Sequence, residues 1–135
     1  MGIRSHVCVA IAGSYDKLDF LRRMAPDFFE YSDIYQSDTI RPESSRFILY
    51  WENNYIKWNL DYASLTNYPE LRQFELIWQL AEKWGLDGKY IEFCYEYPDF
   101  ENGFNIINNG NELEYPRLEV GISMPSLTKN DPNDH

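Results

Sequence analysis

The sequence predicts an α+β domain, in which an antiparallel or mixed sheet carries two helices on one face. Several short segments alternate apolar and polar or small residues with a period of two, and two longer segments have apolar residues at helical spacing. Most neighbouring strand-like segments are joined by short turns. The chain has 135 residues, 44% of them apolar, which is enough for one ordinary core and too few for two. We therefore expect one compact domain over residues 1–123.

The first predicted element is a strand over residues 6–12, where β-branched residues alternate with small ones. A helix follows directly, and Ser14 is placed to cap its first turn through the side-chain hydroxyl. Leu18 and Leu21 begin the apolar stripe of this helix, and Pro26 ends it. The chain is therefore expected to open with a strand, a tight turn and a helix.

In the middle of the chain, the sequence predicts a long loop and then a hairpin. Residues 26–45 are acidic and irregular, which is typical of a functional or mobile connection. Two aromatic-rich runs, residues 47–51 and 55–59, predict paired strands. Asn53 and Asn54 lie between the two runs, and asparagine tolerates the positive φ of a hairpin turn.

The second half predicts a helix followed by short strands. The helix begins at Pro69, has apolar residues on one face and stops at Gly85. A strand over residues 90–97 follows, and the tail over residues 124–135, rich in Pro, Asn and Asp, is expected to be disordered. Three further short strands are predicted at residues 104–107, 113–115 and 118–122.

This element order has a simple candidate architecture. Strand, helix, two strands, helix and strand is the ferredoxin-like βαββαβ sandwich, here extended by a hairpin. We expect a sheet of about 4–6 strands with both helices on one face.

Four motifs between residues 46 and 122 carry a family resemblance. They are the Tyr-Ile-Lys-Trp-Asn run at 55–59, the Pro-started helix at Pro69, the aromatic and acidic strand at 93–97 and the Gly-Phe pair at 103–104. This part of the chain resembles the YubB-type ferredoxin-like domain of plasmid and phage proteins. The resemblance implies a ferredoxin-like fold and a mobile-element origin, and it brings no catalytic residues with it.

The charge balance excludes several partners. The chain has 22 acidic against 12 basic residues, a formal net charge of -10. Such a chain repels phosphate backbones and anionic membrane surfaces, so we expect neither direct nucleic-acid binding nor membrane binding. No segment approaches the roughly 20 apolar residues of a membrane helix. The sequence predicts a cytoplasmic protein, in a bacterial host if the mobile-element origin holds.

Residues that could carry chemistry are few. The only histidines are His6 and His135, and the two cysteines, Cys8 and Cys94, lie in separate predicted strands. A structural zinc site needs about four closely spaced ligands, which these residues do not supply convincingly. Buried free thiols are favoured over a disulfide. Neither a phosphate-binding loop nor a nucleophile motif is present. We therefore expect no enzyme activity, no cofactor and no metal.

Glutamates beside tyrosines form the most informative pattern. In strands, carboxylates at i, i+2 or i, i+4 lie about 7 or 13 Å apart on one face, close to the phosphate spacing of about 7 Å along a nucleic-acid strand. A solvated face that serves solubility is the alternative interpretation. The loop over residues 27–43 offers a second acidic surface. The predicted partner-binding residues are Glu92, Glu96, Glu112, Glu114, Tyr95, Tyr115, Asp33 and Asp38.

Two functions of different classes are compatible with these features. The first is a small protein of a phage or mobile element that inhibits a nucleic-acid-handling host protein, as anti-CRISPR and anti-restriction proteins do. Its partner is then a host protein with a basic nucleic-acid-binding surface, and the inhibitor itself is a monomer or homodimer. The second is a small-molecule or nucleotide-binding domain, which could also be enzymatic. Its pocket lies between the sheet and loop 26–45, where Arg41 or Arg46 pairs with a phosphate.

Overall fold

The structure is a computed structural model that describes residues 4–30, 32–36, 47–57, 69–94, 103–118 and 122–123. Within these residues, two helices and several strands alternate along the chain. The elements are β1 (Arg4–Gly13), α1 (Tyr15–Met24), β2 (Ile34–Gln36), β3 (Phe47–Lys57), α2 (Pro69–Lys83), β4 (Asp87–Cys94), β5 (Gly103–Ile107), a 3-10 turn (Gly110–Glu112), β6 (Arg117–Leu118) and β7 (Ile122–Ser123).

The main sheet has five strands in the order β2-β3-β1-β4-β5, and each neighbouring pair is antiparallel. β1 lies at its centre, between β3 and β4. β5 is added at one edge, next to β4. β6 and β7 form a separate short ladder. The predicted α+β class is confirmed, and the arrangement is compatible with a ferredoxin-like fold extended by one strand.

Both helices pack on one face of the sheet, here called the helix face. Inward-pointing side chains of β1 meet the apolar stripes of the two helices. Val9 and Ile11 of β1, Leu21 of α1, and Phe74 and Ile77 of α2 belong to one buried cluster. All five are at most 2% exposed. Burial of each such side chain stabilises the fold by about 1.5–3 kcal/mol, so this layer is the main core.

The opposite side of the sheet, here called the second face, has a smaller apolar cluster. It consists of Ala10 and Ala12 of β1, Ile48 of β3 and Leu113, which follows the 3-10 turn. The small alanines let Leu113 come close to the strands, because they occupy little volume above the sheet. Among the described residues, this cluster covers only part of the second face, and polar and aromatic side chains lie around it.

The two predicted helix boundaries have different outcomes. Ser14 is the N-cap residue of α1 and its carbonyl accepts from the Leu18 N–H at 3.1 Å, but the side chain makes no capping bond. That part of the prediction is wrong, and Ser14 is exposed, so water competes for its hydroxyl. Gly85 does end α2: it has φ +74°, the Leu86 N–H donates to Ala81, and the Gly85 N–H donates to Glu82. These two bonds are the Schellman motif that a left-handed glycine permits.

Two predictions about the middle of the chain need correction where residues are described. The expected loop at 26–45 contains β2, and a turn within it buries Phe28 and Phe29. The expected hairpin at Asn53 and Asn54 is instead one continuous strand, β3. The long β1 supplies backbone partners along β3 from one end to the other, which outweighs the local turn preference of asparagine.

The strand predictions near the end of the chain also need correction. Residues 113–115 are not a strand, because the preceding 3-10 turn redirects the chain and Leu113 packs across the sheet. The run at 118–122 is not one strand either, since Leu118 and Ile122 face each other in the β6–β7 ladder. The predicted tail at 124–135 lies outside the described residues. Among the residues that are described, neither helix has the length and apolar character needed to cross a bilayer.

Candidate functional site

Two tyrosines lie side by side on the second face. Tyr35 of β2 is paired in register with Ile48 of β3, which places its ring next to Tyr50, two residues further along β3. The ring centroids are 6.1 Å apart with an interplanar angle of 51°. Both rings are partly buried against the small cluster of this face. They are therefore held in place by packing while part of each ring stays accessible.

Carboxylates come close to both rings. Burial raises the pKa of Tyr50 to about 12, with smaller contributions from the charge of Glu114 and from Tyr115. Burial also raises the pKa of Tyr35, helped by the charge of Asp33. A nearby negative charge disfavours a phenolate, so the charges of Asp33 and Glu114 add to the larger effect of burial. We call Asp33, Tyr35, Tyr50, Glu114 and Tyr115 the tyrosine–carboxylate surface.

Three of the predicted partner-binding residues thus lie near the tyrosine pair, Asp33 on the Tyr35 side and Glu114 and Tyr115 on the Tyr50 side. They come from the segment before β2 and from the segment between the 3-10 turn and β6. Asp33 also lies 3.7 Å from the Arg22 guanidinium of α1. Asp33, from the predicted acidic loop, therefore lies at the Tyr35 end of the pair and also reaches α1, whereas Glu114, from the predicted acidic sheet surface, lies at the Tyr50 end.

Glu92 lies elsewhere. Its side chain is partly buried, accepts a hydrogen bond from the Tyr90 hydroxyl at 2.7 Å and another from the Ser5 hydroxyl at 3.3 Å. Tyr90 belongs to the helix-face core, so Glu92 shares that face and helps to satisfy its polar groups. Glu112 is exposed in the 3-10 turn. The remaining predicted residues, Glu96, Tyr95 and Asp38, lie outside the described part of the chain.

A second constellation on the same face was not predicted. His6 and Cys8 are two residues apart on β1, so they share a face, and Glu52 of β3 is the register partner of Cys8. The His6 Nε2 lies 2.6 Å from a Glu52 carboxylate oxygen, and the Cys8 Sγ lies 3.5 Å from that nitrogen and 3.7 Å from that oxygen. Three different donor groups converge at this point.

The backbone around this cluster is irregular on one side and apolar on the other. Ser5 pairs with Ile56 but Val7 pairs with Asn53, so β3 has one extra residue opposite His6. Such bulges redirect side chains and are frequent beside functional sites. On the β4 side, Ile91 is the partner of Cys8 and Phe93 is the partner of His6.

Burial increases across the cluster from Glu52 to Cys8. The Glu52 side chain is 38% exposed and that of His6 is 14% exposed, whereas Cys8 is fully buried. Burial raises the pKa of the Cys8 thiol well above its usual range, and the Glu52 carboxylate adds to this through its charge and a hydrogen bond. Cys8 is a free thiol, as expected, and its register partner is not Cys94, which pairs with Ser5.

The geometry is not that of a nucleophilic triad. In such a triad the nucleophile contacts one ring nitrogen of the histidine and the acid contacts the other. Here the thiol and the carboxylate both contact Nε2 of His6. A raised thiol pKa also disfavours the thiolate that would attack a substrate. Convergence of S, N and O donors on one point is instead the composition of a transition-metal site.

The histidines and cysteines of the sequence do not by themselves predict this cluster. Glu52 is 44 residues from Cys8, so nothing local in the sequence links them. The available signal was the His-x-Cys spacing in a strand, which places both side chains on one face. The partner carboxylate follows only from the β1–β3 register.

A depression of about 400 Å³ lies on the helix side of the molecule, lined by Asp16, Lys17, Phe20 and Trp84. Phe20 is 54% exposed, and its ring centroid is 5.5 Å from that of Trp84. This is not the predicted pocket between the sheet and loop 26–45. Arg41 and Arg46, which were to hold a phosphate there, lie outside the described residues, so that pocket stays a prediction.

Comparison of the chain with protein-family models, with curated proteins and with solved structures gives no match, and the YubB-type resemblance stays a prediction.

Proposed function

We propose that this protein is an acidic inhibitor that docks on the basic nucleic-acid-binding surface of a host protein, in the cytoplasm of a bacterial host. The single observation behind the proposal is the Tyr35–Tyr50 pair on the second face, which has Asp33 near Tyr35 and Glu114 and Tyr115 near Tyr50. The proposed role is counter-defence by a phage or other mobile element, of the anti-CRISPR or anti-restriction kind.

The tyrosines suit a docking surface for a physical reason. A tyrosine has a large ring and few rotatable bonds, so it contributes contact area at a low cost in conformational entropy. Tyr35 and Tyr50 are already packed against the β-sheet, which lowers that cost further. A partner that covers the exposed parts of the rings would therefore gain apolar contact without ordering new side chains.

The carboxylates suit a basic partner. A net charge of -10 attracts a cationic surface over a distance of about one Debye length, which accelerates encounter and weakens with salt. Acidic groups near the aromatic pair would then meet lysines and arginines that otherwise contact phosphates. The same charge opposes direct binding of the protein to nucleic acid, so competition for the partner is the expected mode of inhibition.

The test is capture from a bacterial lysate at low salt, with the immobilised protein as bait and identification by mass spectrometry. Capture alone is not sufficient. The proposal requires a nucleic-acid-binding partner that elutes as salt is raised and is displaced by an excess of its own nucleic acid. Recovery of only partners that nucleic acid does not displace would contradict the proposal, as would recovery of none.

A charge-reversed bait separates this surface from general acidity. Asp33→Lys combined with Glu114→Lys changes the surface, whereas Glu75→Lys combined with Glu82→Lys makes the same charge change at exposed positions of α2. We expect the first pair to lose the partner and the second pair to retain it. Equal retention by both pairs would mean that the acidic residues act only through total charge.

A further inference from the structure

We propose that His6, Cys8 and Glu52 form a zinc-binding site on the second face. This inference does not depend on the proposed docking function, because it rests on a different set of side chains and on their coordination geometry. The three donor atoms lie within 4.8 Å of one another, and they include the thiol and imidazole groups that zinc prefers.

Two of the three donor–donor distances fit tetrahedral coordination of zinc. Zinc bonds of about 2.3 Å to sulfur and about 2.0–2.2 Å to nitrogen and oxygen imply separations of about 3.5 Å for S···N, 3.6 Å for S···O and 3.4 Å for N···O. The observed S···N and S···O distances are 3.5 and 3.7 Å. The N···O distance of 2.6 Å is a direct contact between His6 and Glu52 that zinc would replace.

The adjustment this requires is small. The N···O edge must open by about 0.8 Å to reach the tetrahedral value. Glu52 is the most exposed of the three ligands, so rotation of its side chain can supply that movement. His6 and Cys8 keep their positions, because both lie on the central strand of the sheet, and Cys8 is fully buried.

The total charge of the three ligands favours a divalent ion, and the type of their donor atoms favours zinc over magnesium and calcium. A thiolate, a carboxylate and a neutral imidazole carry a total charge of −2, which a divalent ion balances in a site bordered by the apolar partners Ile91 and Phe93. On binding, the Cys8 thiol releases its proton to solvent and the sulfur forms the metal bond. Magnesium and calcium prefer oxygen ligands, so a site with sulfur and nitrogen donors discriminates against them.

The ligand count gives the site an open position. Three protein ligands leave the fourth tetrahedral position to water, which is the arrangement of zinc sites that bind exogenous groups. The exposed side of the cluster is at Glu52, so the open position is expected to face solvent there. This differs from a closed structural site, in which the protein supplies all four ligands.

The test is metal titration of the full chain, purified with a chelator and a thiol reductant and then freed of both. Cobalt(II) reports the ligands directly, since a thiolate ligand gives an intense charge-transfer band and tetrahedral geometry gives strong visible bands. We expect one cobalt per chain, displaced by zinc but not by magnesium. Absence of the thiolate band at saturating cobalt would overturn the proposal.

Variants assign the band to these residues. We expect Cys8→Ser to abolish the charge-transfer band. Mutation of residues that only hold a metal ligand in place weakens metal binding by about 10- to 100-fold. Replacement of a ligand itself should cost more, so we expect His6→Gln and Glu52→Gln each to weaken zinc binding by about 100-fold or more. Matched controls are Cys94→Ser and His135→Gln, which alter the other cysteine and the other histidine of the chain. Loss of binding in the controls, with retention in the Glu52 variant, would contradict the assignment.

Glu52→Gln keeps the test decisive if the Cys8 variant does not fold. This substitution is nearly isosteric at a side chain that is 38% exposed, and we expect the apo protein to keep its circular dichroism spectrum. A folded Glu52→Gln protein with unchanged zinc affinity would overturn the three-ligand site.

Discussion

Cys8 of β1 and Glu52 of β3 are directly paired across the sheet, with the sulfur 3.7 Å from the carboxylate oxygen. One residue is fully buried and the other reaches solvent, so the pair connects the interior of the second face to its surface. The Tyr35–Tyr50 pair lies further along β3 on the same face. The helix face, by contrast, is filled by the apolar stripes of α1 and α2. The tyrosine pair of the proposed docking surface and the proposed zinc ligands therefore share the second face.

Adjacent residues of α2 should differ sharply in their effect on stability. Ile77 is fully buried on the helix face, whereas its neighbour Leu76 is 50% exposed. We expect Ile77→Ala to lower the free energy of unfolding by about 2–5 kcal/mol, because it leaves a cavity in a packed core. Leu76→Ala should cost less than about 1 kcal/mol. Urea unfolding of both variants measures the difference, and equal losses would contradict the orientation of α2.

The 3-10 turn should not tolerate a side chain at Gly110. A Cβ at this position would collide with the backbone carbonyl of Gly88 in β4. Backbone cannot rotate away as a side chain can, so Gly110→Ala is expected to cost at least about 1–3 kcal/mol. Asn111→Ala, at the exposed neighbouring position, is the control and should be near neutral. Thermal unfolding of the two variants checks this close contact.

Tyr50 should make stability fall at alkaline pH. Its pKa is raised to about 12, chiefly by burial, whereas an unfolded tyrosine titrates near 10. Its contribution is thus fully present below pH of about 10 and is lost as the pH rises from about 10 to about 12. We expect the Tyr50→Phe protein to lose less stability than the wild type in this window. The same pH dependence in both proteins, measured by urea unfolding, would contradict the burial of the phenol.

Glu92 and Glu114 should respond differently to charge reversal, although the sequence groups them together. Glu92 accepts bonds from Tyr90 and Ser5 on the helix face, so Glu92→Lys is expected to destabilise the fold by about 1–3 kcal/mol. Glu114 is exposed, and Glu114→Lys should leave the unfolding midpoint nearly unchanged. Equal destabilisation by both substitutions would contradict the placement of Glu92 in hydrogen bonds on the helix face and of Glu114 at the exposed surface.

The sequence predicted the features that depend on local pattern. The period-two alternation from Val7 to Ile11 marked the central strand, and the helical stripe between Pro69 and Gly85 marked α2 with both of its ends. The fold class followed from the element order. Each of these signals lies within about fifteen residues of sequence, where periodicity and capping preferences act.

The features that the sequence did not predict depend on pairing between distant segments. Asn53 and Asn54 favour a turn locally, but pairing with β1 keeps them in an extended strand. Glu92 looked like a solvated acid, yet the register of β4 with β1 brings it within hydrogen-bond distance of Ser5. The contact between Cys8 and Glu52 likewise depends on the register between β1 and β3. Register between segments more than 40 residues apart is set by the whole sheet, and no local pattern specifies it.

The proposed docking of a basic partner on the tyrosine–carboxylate surface predicts that Asp33 and Glu114 set the rate of association. The most direct measurement is the association rate with the captured partner as a function of salt. We expect Asp33→Lys combined with Glu114→Lys to slow association by about tenfold or more at low salt and to flatten the salt dependence. Glu75→Lys combined with Glu82→Lys, with the same net charge, should retain most of the rate. Equal slowing by the two pairs, or by neither, would contradict the claim.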